Sequence, residues 1–288
     1  DMEHVTSVAA MLSKADEMRR EGKRIGFVPT MGYLHEGHLD LVRTLRPLCD
    51  CVVVSIFVNP SQFGPGEDLQ RYPRDLERDS NLAEDAGCDL LFVPTAEEMY
   101  PAGARTWVTV EGLGAVLEGA FRPTHFRGVA TVVTMLFNIV KPHMAAFGQK
   151  DAQQALIIRR MVRDLHMDVE LCIVPTRREA DGLAMSSRNT YLSGSERNEA
   201  LAISRSLRIA REAFAAGEHR VAALRERMTE ELTATGTLLL DYLAFVDAET
   251  LEDVTTIDDR PVLVAIAARI GTTRLIDNTI LGEQAFAQ

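Results

Sequence analysis

The chain has 288 residues, 46% hydrophobic and 25% charged, enough for two modest domains with cores of their own. Against 31 basic side chains stand 42 acidic ones, a net charge of −11 that disfavours a nucleic-acid partner but leaves room for a small anionic substrate met by local cations. Cys49, Cys51, Cys88 and Cys172 form no C-x-x-C pair and no zinc spacing, so they read as free thiols suited to a cytoplasmic protein.

The first 20 residues mix acids and bases with no long apolar core, unlike a signal peptide, and no stretch approaches the ~20 apolar residues of a membrane-spanning helix. From there, short apolar runs alternate with helical patterns. Residues 24–30, 51–59, 88–94, 144–148 and 168–175 read as strands. They are continuous runs and not alternations, which predicts strands buried on both faces. Between them, residues 37–46, 73–86, 124–140 and 151–166 carry helical spacing. Strand and helix in alternation predict an α/β fold with a parallel sheet, and ligands in such sheets bind beyond the carboxyl ends of the strands. After Pro175 a polar segment leads to helices near 195–215 and 218–234. Three strand-like runs then follow, with a turn at Gly271 and Thr272 between the last two. This predicts a domain of residues 1–176 followed by a smaller α+β domain of 177–288.

Three constellations carry chemistry. "HEGH" (35–38) sits where the first predicted sheet strand hands over to a helix. A helix start there offers unpaired N–H groups, Gly37 admits close approach, and His35 and His38 add donors, which together suit an anion such as phosphate. The pair alone is also compatible with a surface turn or a metal ligand pair, but it lacks the zincin spacing. "AFGQKDAQQ" (146–154) places Lys150 at the carboxyl end of another predicted strand. "GLAMSSRN" (182–189) offers two hydroxyls and a guanidinium in a polar loop. No Walker motif and no G-x-G-x-x-G is present.

An H-x-G-H after the first strand and a Ser-rich basic loop after the last resemble the nucleotidyltransferase superfamily, which includes the class I aminoacyl-tRNA synthetases. The wider series "VPTMGYLHEGH", "VVVSIFVNPSQF", "DLQRYPR", "EGAFRPTHFRGV", "FGQKDAQQ", "READGLAMSSRN" and "TRLIDN" resembles the pantoate–β-alanine ligase (pantothenate synthetase) family over about residues 24–280. The resemblance implies a Rossmann-like doubly wound sheet with a smaller lid domain. It implies condensation of pantoate with β-alanine through a pantoyl adenylate, using ATP and Mg²⁺, in a cytoplasmic homodimer. It also implies catalytic roles for His35, His38, Lys150, Ser186, Ser187 and Arg188 around the ATP phosphates. Met31, Gly37, Gly148, Asp151 and Met185 would complete the nucleotide site. Met31, Asn59, Gln62 and Gln154 would hold pantoate, Tyr72, Arg122 and His125 would line the β-alanine path, and Asp79 would lie close to Mg²⁺.

Two departures stand out. Gln149 replaces a glutamate common in the family, and Arg78 stands where an acid often precedes Asp79, which predicts weaker metal affinity. Other readings are an adenylyltransferase that stops after AMP transfer and a nucleotide sensor that keeps only the fold. The glutamines of "NPSQF" and "KDAQQ" suit a small hydroxy acid and favour the ligase. A tRNA synthetase is disfavoured by the acidic charge.

Overall fold

The computed structural model describes residues 1–282. In chain order the elements are β1 (Glu3–Val5), α1 (Val8–Arg20), β2 (Ile25–Thr30), α2 (Glu36–Leu45), β3 (Cys51–Ile56), α3 (Leu76–Ala86), β4 (Leu90–Phe92), α4 (Ala96–Met99), α5 (Glu118–Phe121), α6 (His125–Val140), β5 (Met144–Gly148), α7 (Ala152–Asp164) and β6 (Glu170–Val174). Then come α8 (Gly194–Ala215), α9 (Val221–Thr233), β7 (Leu239–Asp247), β8 (Val262–Ile270) and β9 (Thr273–Leu281). They fall into two compact units, Asp1–Gln149 with Gln153–Pro175, and Lys150–Ala152 with the chain from Thr176 onward.

The first unit is a six-stranded parallel sheet in the order β1-β4-β3-β2-β5-β6. Its central strands alternate faces residue by residue. Phe27, Val53 and Phe147 join a core with Met11 of α1, Leu136 of α6 and Ile157 of α7. Val28, Val52 and Val54 join a separate core with Leu39 and Val42 of α2 and Ala83 of α3. Both faces are therefore dry, which is why these strands read as unbroken apolar runs. The strand order reverses between β2 and β5, so the crevice of a doubly wound sheet opens beyond Thr30 and Gly148. Four elements lie outside the sequence reading: β1, α1 and the short helices α4 and α5. β1 is a three-residue edge strand, and α1 buries Met11, Ala15 and Met18, a helical spacing that the mixed charges of the segment conceal.

The second unit is a three-stranded antiparallel sheet, β7-β8-β9, whose apolar face packs on α8 and α9. Leu207 and Leu224 of the helices meet Phe245, Val264 and Ile266 of the strands, all with at most 1% of their surface exposed. Gly271, at φ +59°, makes the tight turn between β8 and β9. No helix among the described residues is long and apolar enough to cross a membrane.

One buried ion pair anchors the loop that precedes α8. Arg178 donates from Nη1 and Nη2 to the two carboxylate oxygens of Asp277 on β9, at 2.6 and 2.9 Å, and its Nη1 also reaches the carbonyl of Gly182. Asp277 is 4% exposed, so removing the cation leaves a carboxylate that water cannot solvate. Arg178→Met should therefore lower the stability of this unit by about 3 kcal/mol. Hydrogen exchange at the amides of β9 measures it; unchanged protection would show that the pair contributes nothing.

Candidate active site

The crevice beyond β2 is built on a strained loop. Gly32 (φ +81°) and Tyr33 (φ +50°) are both left-handed, an arrangement that costs energy at Tyr33 and must be held from outside. Asp79 of α3 holds it. Its Oδ2 accepts the N–H of Tyr33 and its Oδ1 the N–H of Leu34, each at 2.7 Å. Thr30 Oγ1 accepts the N–H of Gly32 at 3.1 Å. A Cβ on Gly32 would lie 2.8 Å from Ile56 Cγ2, so glycine is needed for space as well as for φ. Arg78 donates to the carbonyl of Leu34 at 2.9 Å, and its guanidinium lies 4.9 Å from the centre of the Tyr33 ring. The departure at Arg78 thus puts a second brace on the loop.

The loop delivers the chain to α2, whose N-cap is His35. His35 Nδ1 accepts the N–H of Gly37 at 3.0 Å, and His38 Nδ1 accepts the N–H of His35 at 3.1 Å. The ring centroids are 4.0 Å apart. A backbone N–H can only donate, so each Nδ1 is unprotonated and each neutral ring carries its proton on Nε2. The result is two N–H donors beside the positive end of a helix, at the switch point of the sheet, an arrangement suited to phosphate oxygens.

A second cluster lies after β3. Asn59 caps the 3₁₀ turn Pro60–Gln62, and both Asn59 and Gln62 are buried. Asn59 Nδ2 donates to Gln62 Oε1 at 3.0 Å and to the carbonyl of Gly128 at 3.2 Å. Gly128 lets α6 press on this turn, since a Cβ there would meet the Ser61 carbonyl oxygen at 2.5 Å. The main chain of Gln62 is held as well. His125 Nδ1 donates to its carbonyl at 2.9 Å, and Arg122 Nη2 reaches the same carbonyl at 3.4 Å while its Nε donates to Glu67 Oε1 at 2.9 Å. Arg122 and His125, expected on the β-alanine path, therefore brace the turn that carries Gln62. Tyr72 is buried edge-on against Phe63. Gln154 is half-buried in the first turn of α7. Its neighbour Gln153 knits the 113–118 segment, accepting the N–H of Glu118 and donating to the carbonyls of Leu113 and Val116.

In the second unit Ser186 caps the 3₁₀ turn Ser187–Tyr191, its Oγ accepting the N–H of Arg188 at 3.2 Å. Met185 pairs back to Arg177, and Arg178 bridges to Ala184, so residues 177–185 form a hairpin-like turn. Arg197 of α8 pins that turn through Glu179 and Asp181. Asn278 Nδ2 donates to the carbonyl of Lys150 at 2.9 Å, fixing the backbone beside Asp151. The segment that reads as a polar linker is thus tied down at both ends, which its composition could not reveal.

The described residues do not form a resident metal site. Both oxygens of Asp79 accept backbone N–H groups and the residue is 1% exposed. Burial pushes its carboxyl above the usual range, opposed by the N–H groups of Leu34 and Tyr33 and by Arg78. No group of three or more His, Cys, Asp or Glu among the described residues could hold an ion.

A doubly wound parallel sheet, with two imidazoles at the start of the helix that follows its switch-point strand, defines an α/β protein of the Rossmann-like class. Comparison makes this specific. The model of the family described as Pantoate-beta-alanine ligase matches residues 3–280, and the chain belongs to that family. The pantothenate synthetase of Pelotomaculum thermopropionicum is 58% identical, covering 93% of this chain and 94% of the relative. That of Thermotoga petrophila is 56% identical over 98% of this chain and 100% of its own. Among solved structures, pantothenate synthetase from Thermus thermophilus superposes with a TM-score of 0.90 at 51% identity, covering 96% of this chain and 99% of that one. Pantoate-beta-alanine ligase from Francisella tularensis, complexed with beta-gamma ATP and beta-alanine, gives 0.79 at 31% identity over 97% and 98%.

His125 supplies a pH test of the Gln62 brace. Burial, then the adjacent Arg122 guanidinium, pulls its pKa down to about 4. The unfolded chain, with an ordinary histidine near 6.5, binds more protons than the folded chain between those values. Its contribution is therefore fully present above about pH 6.5 and lost as pH falls towards 4. Thermal midpoints measured across that window should fall less steeply in His125→Asn than in the parent; equal slopes would contradict a buried neutral His125.

Proposed function

We propose that the chain joins pantoate to β-alanine in two steps driven by ATP. The observation that carries the reading is the pair of Nε2–H imidazoles at the N-terminus of α2, set at the sheet's switch point. Family membership supports the same chemistry, as do the beta-gamma ATP and beta-alanine complexed with the Francisella enzyme.

In the first step a pantoate carboxylate oxygen attacks the α-phosphorus and pyrophosphate leaves. Negative charge grows on the departing phosphates, and fixed donors there stabilise the transition state more than the ground state. We assign that work to His35, His38, Lys150, Ser186, Ser187 and Arg188. Gly37 leaves room for a phosphate, while Gly148, Asp151, Met31 and Met185 are assigned to the nucleoside. Gln62 and Gln154 are assigned to pantoate, Asn59 to holding Gln62 from behind, and Met31 also to the pantoate methyl groups. In the second step the β-alanine amine attacks the acyl carbon, AMP leaves with the bond electrons, and the amine gives up its proton. No protein nucleophile is required, because the acyl adenylate is itself the activated species.

Magnesium enters this account as the partner ion of ATP. Asp79 is assigned to the loop, since both its oxygens already serve backbone donors. By family resemblance we also assign the chain to a cytoplasmic homodimer.

Labelled pyrophosphate should exchange into ATP with pantoate and Mg²⁺ present and β-alanine absent. Lys150→Ala should slow that exchange about a hundredfold, the scale of losing one transition-state donor. Exchange that strictly requires β-alanine would refute the two-step order, and normal exchange in the variant would remove Lys150 from the site.

A further inference from the structure

The amide of Asn59 is locked in one orientation by three donors. Its Oδ1 lies 2.7 Å from Tyr100 OH, 2.8 Å from Ser61 Oγ and 3.2 Å from the N–H of Ser61. The backbone N–H can only donate, so this atom is the oxygen and the other is the nitrogen. Both hydrogens of Asn59 Nδ2 are then engaged, one by Gln62 Oε1 and one by the carbonyl of Gly128. The consequence passes to Gln62. With Oε1 turned inward as an acceptor, the end of Gln62 that remains for a ligand is the Nε2 amide, a donor. Tyr100 stands at the head of this chain. It is held by the Phe57 and Trp107 rings, at centroid distances of 6.4 and 6.3 Å, and Trp107 is covered in turn by the Arg127 guanidinium.

We propose that Tyr100 is a positioning residue for pantoate: through Asn59 it holds Gln62 so that Nε2 donates to an oxygen of the substrate. The inference rests on the assignment of Gln62 to pantoate above. Tyr100 reaches the substrate only through two intervening amides, and the sequence reading gave it no role. The relay makes recognition polar in one sense only. An acceptor oxygen of pantoate, whether carboxylate or hydroxyl, satisfies Gln62 Nε2; a ligand offering a donor at that place leaves two donors opposed.

The test measures pyrophosphate exchange at saturating ATP with pantoate varied. Tyr100→Phe keeps the ring and removes only the hydroxyl, so it should raise the pantoate KM about five- to tenfold. The ATP KM and the maximal exchange rate should stay within about twofold, a split that general loss of packing would not produce. Ser61→Ala, which removes another donor to the same oxygen, should shift the pantoate KM in the same direction. Gln62→Met should raise it by itself, and adding Tyr100→Phe to Gln62→Met should change nothing further, because the relay then has no end. An unchanged pantoate KM in Tyr100→Phe beside a raised one in Gln62→Met would overturn the relay while leaving the pantoate assignment intact. Fully additive effects in the double variant would overturn it too. An unchanged pantoate KM in Gln62→Met would remove the assignment of Gln62 and the relay with it.

Discussion

The carboxylate of Asp79 is the interaction on which the loop between β2 and α2, and with it the proposed catalytic face, depends. Its two oxygens accept the N–H groups of Tyr33 and Leu34 at the end of a left-handed turn and so hold that turn in place. With them, the chain leaving β2 turns sharply enough to start α2 at His35 and to cap it with its own imidazoles. Everything the site offers an anion follows from that geometry: the direction of the helix, the positive end of its dipole, and the protons forced onto Nε2. Burying a carboxylate is expensive, and here the cost is offset by two short backbone bonds and a nearby guanidinium at 3.6 Å.

The same principle recurs, in neutral form, around the Gln62 amide that we assign to pantoate. Asn59 receives three donors and passes on two, so the Gln62 amide has no second orientation of comparable energy. Two recognition groups of opposite origin, a pair of imidazoles and a glutamine, are thus given fixed polarity by groups that do not touch the substrate in the proposed account. This is preorganisation by hydrogen bonding, and it leaves little orientational freedom to be lost when the ligand binds.

Much of this fold was legible in the sequence because burial on both faces writes itself as unbroken apolar runs. β2, β3 and β5 are such cases. β1 was not legible, since only one of its three residues is buried. The candidate site divides along a similar line. His35, His38 and Gly37 are local, and their spacing at a strand-to-helix junction was enough to suggest an anion. The contacts that aim them are not local. Asp79 acts across 46 and 45 positions, Tyr100 across 41, and Asp277 meets Arg178 across 99. No spacing rule reaches that far. Arg122 and His125, which the motif singled out, hold the Gln62 carbonyl, a contact across 60 and 63 positions that the motif does not describe.

The central claim is that backbone N–H groups fix both imidazoles as Nε2–H donors. ¹⁵N NMR of the histidine-labelled enzyme at neutral pH, with His35→Gln and His38→Gln for assignment, reads the tautomers directly. The account predicts a pyridine-type Nδ1 and a pyrrole-type Nε2 for both residues. A pyrrole-type Nδ1 in either would contradict it, because that nitrogen could not then accept the bond that caps α2.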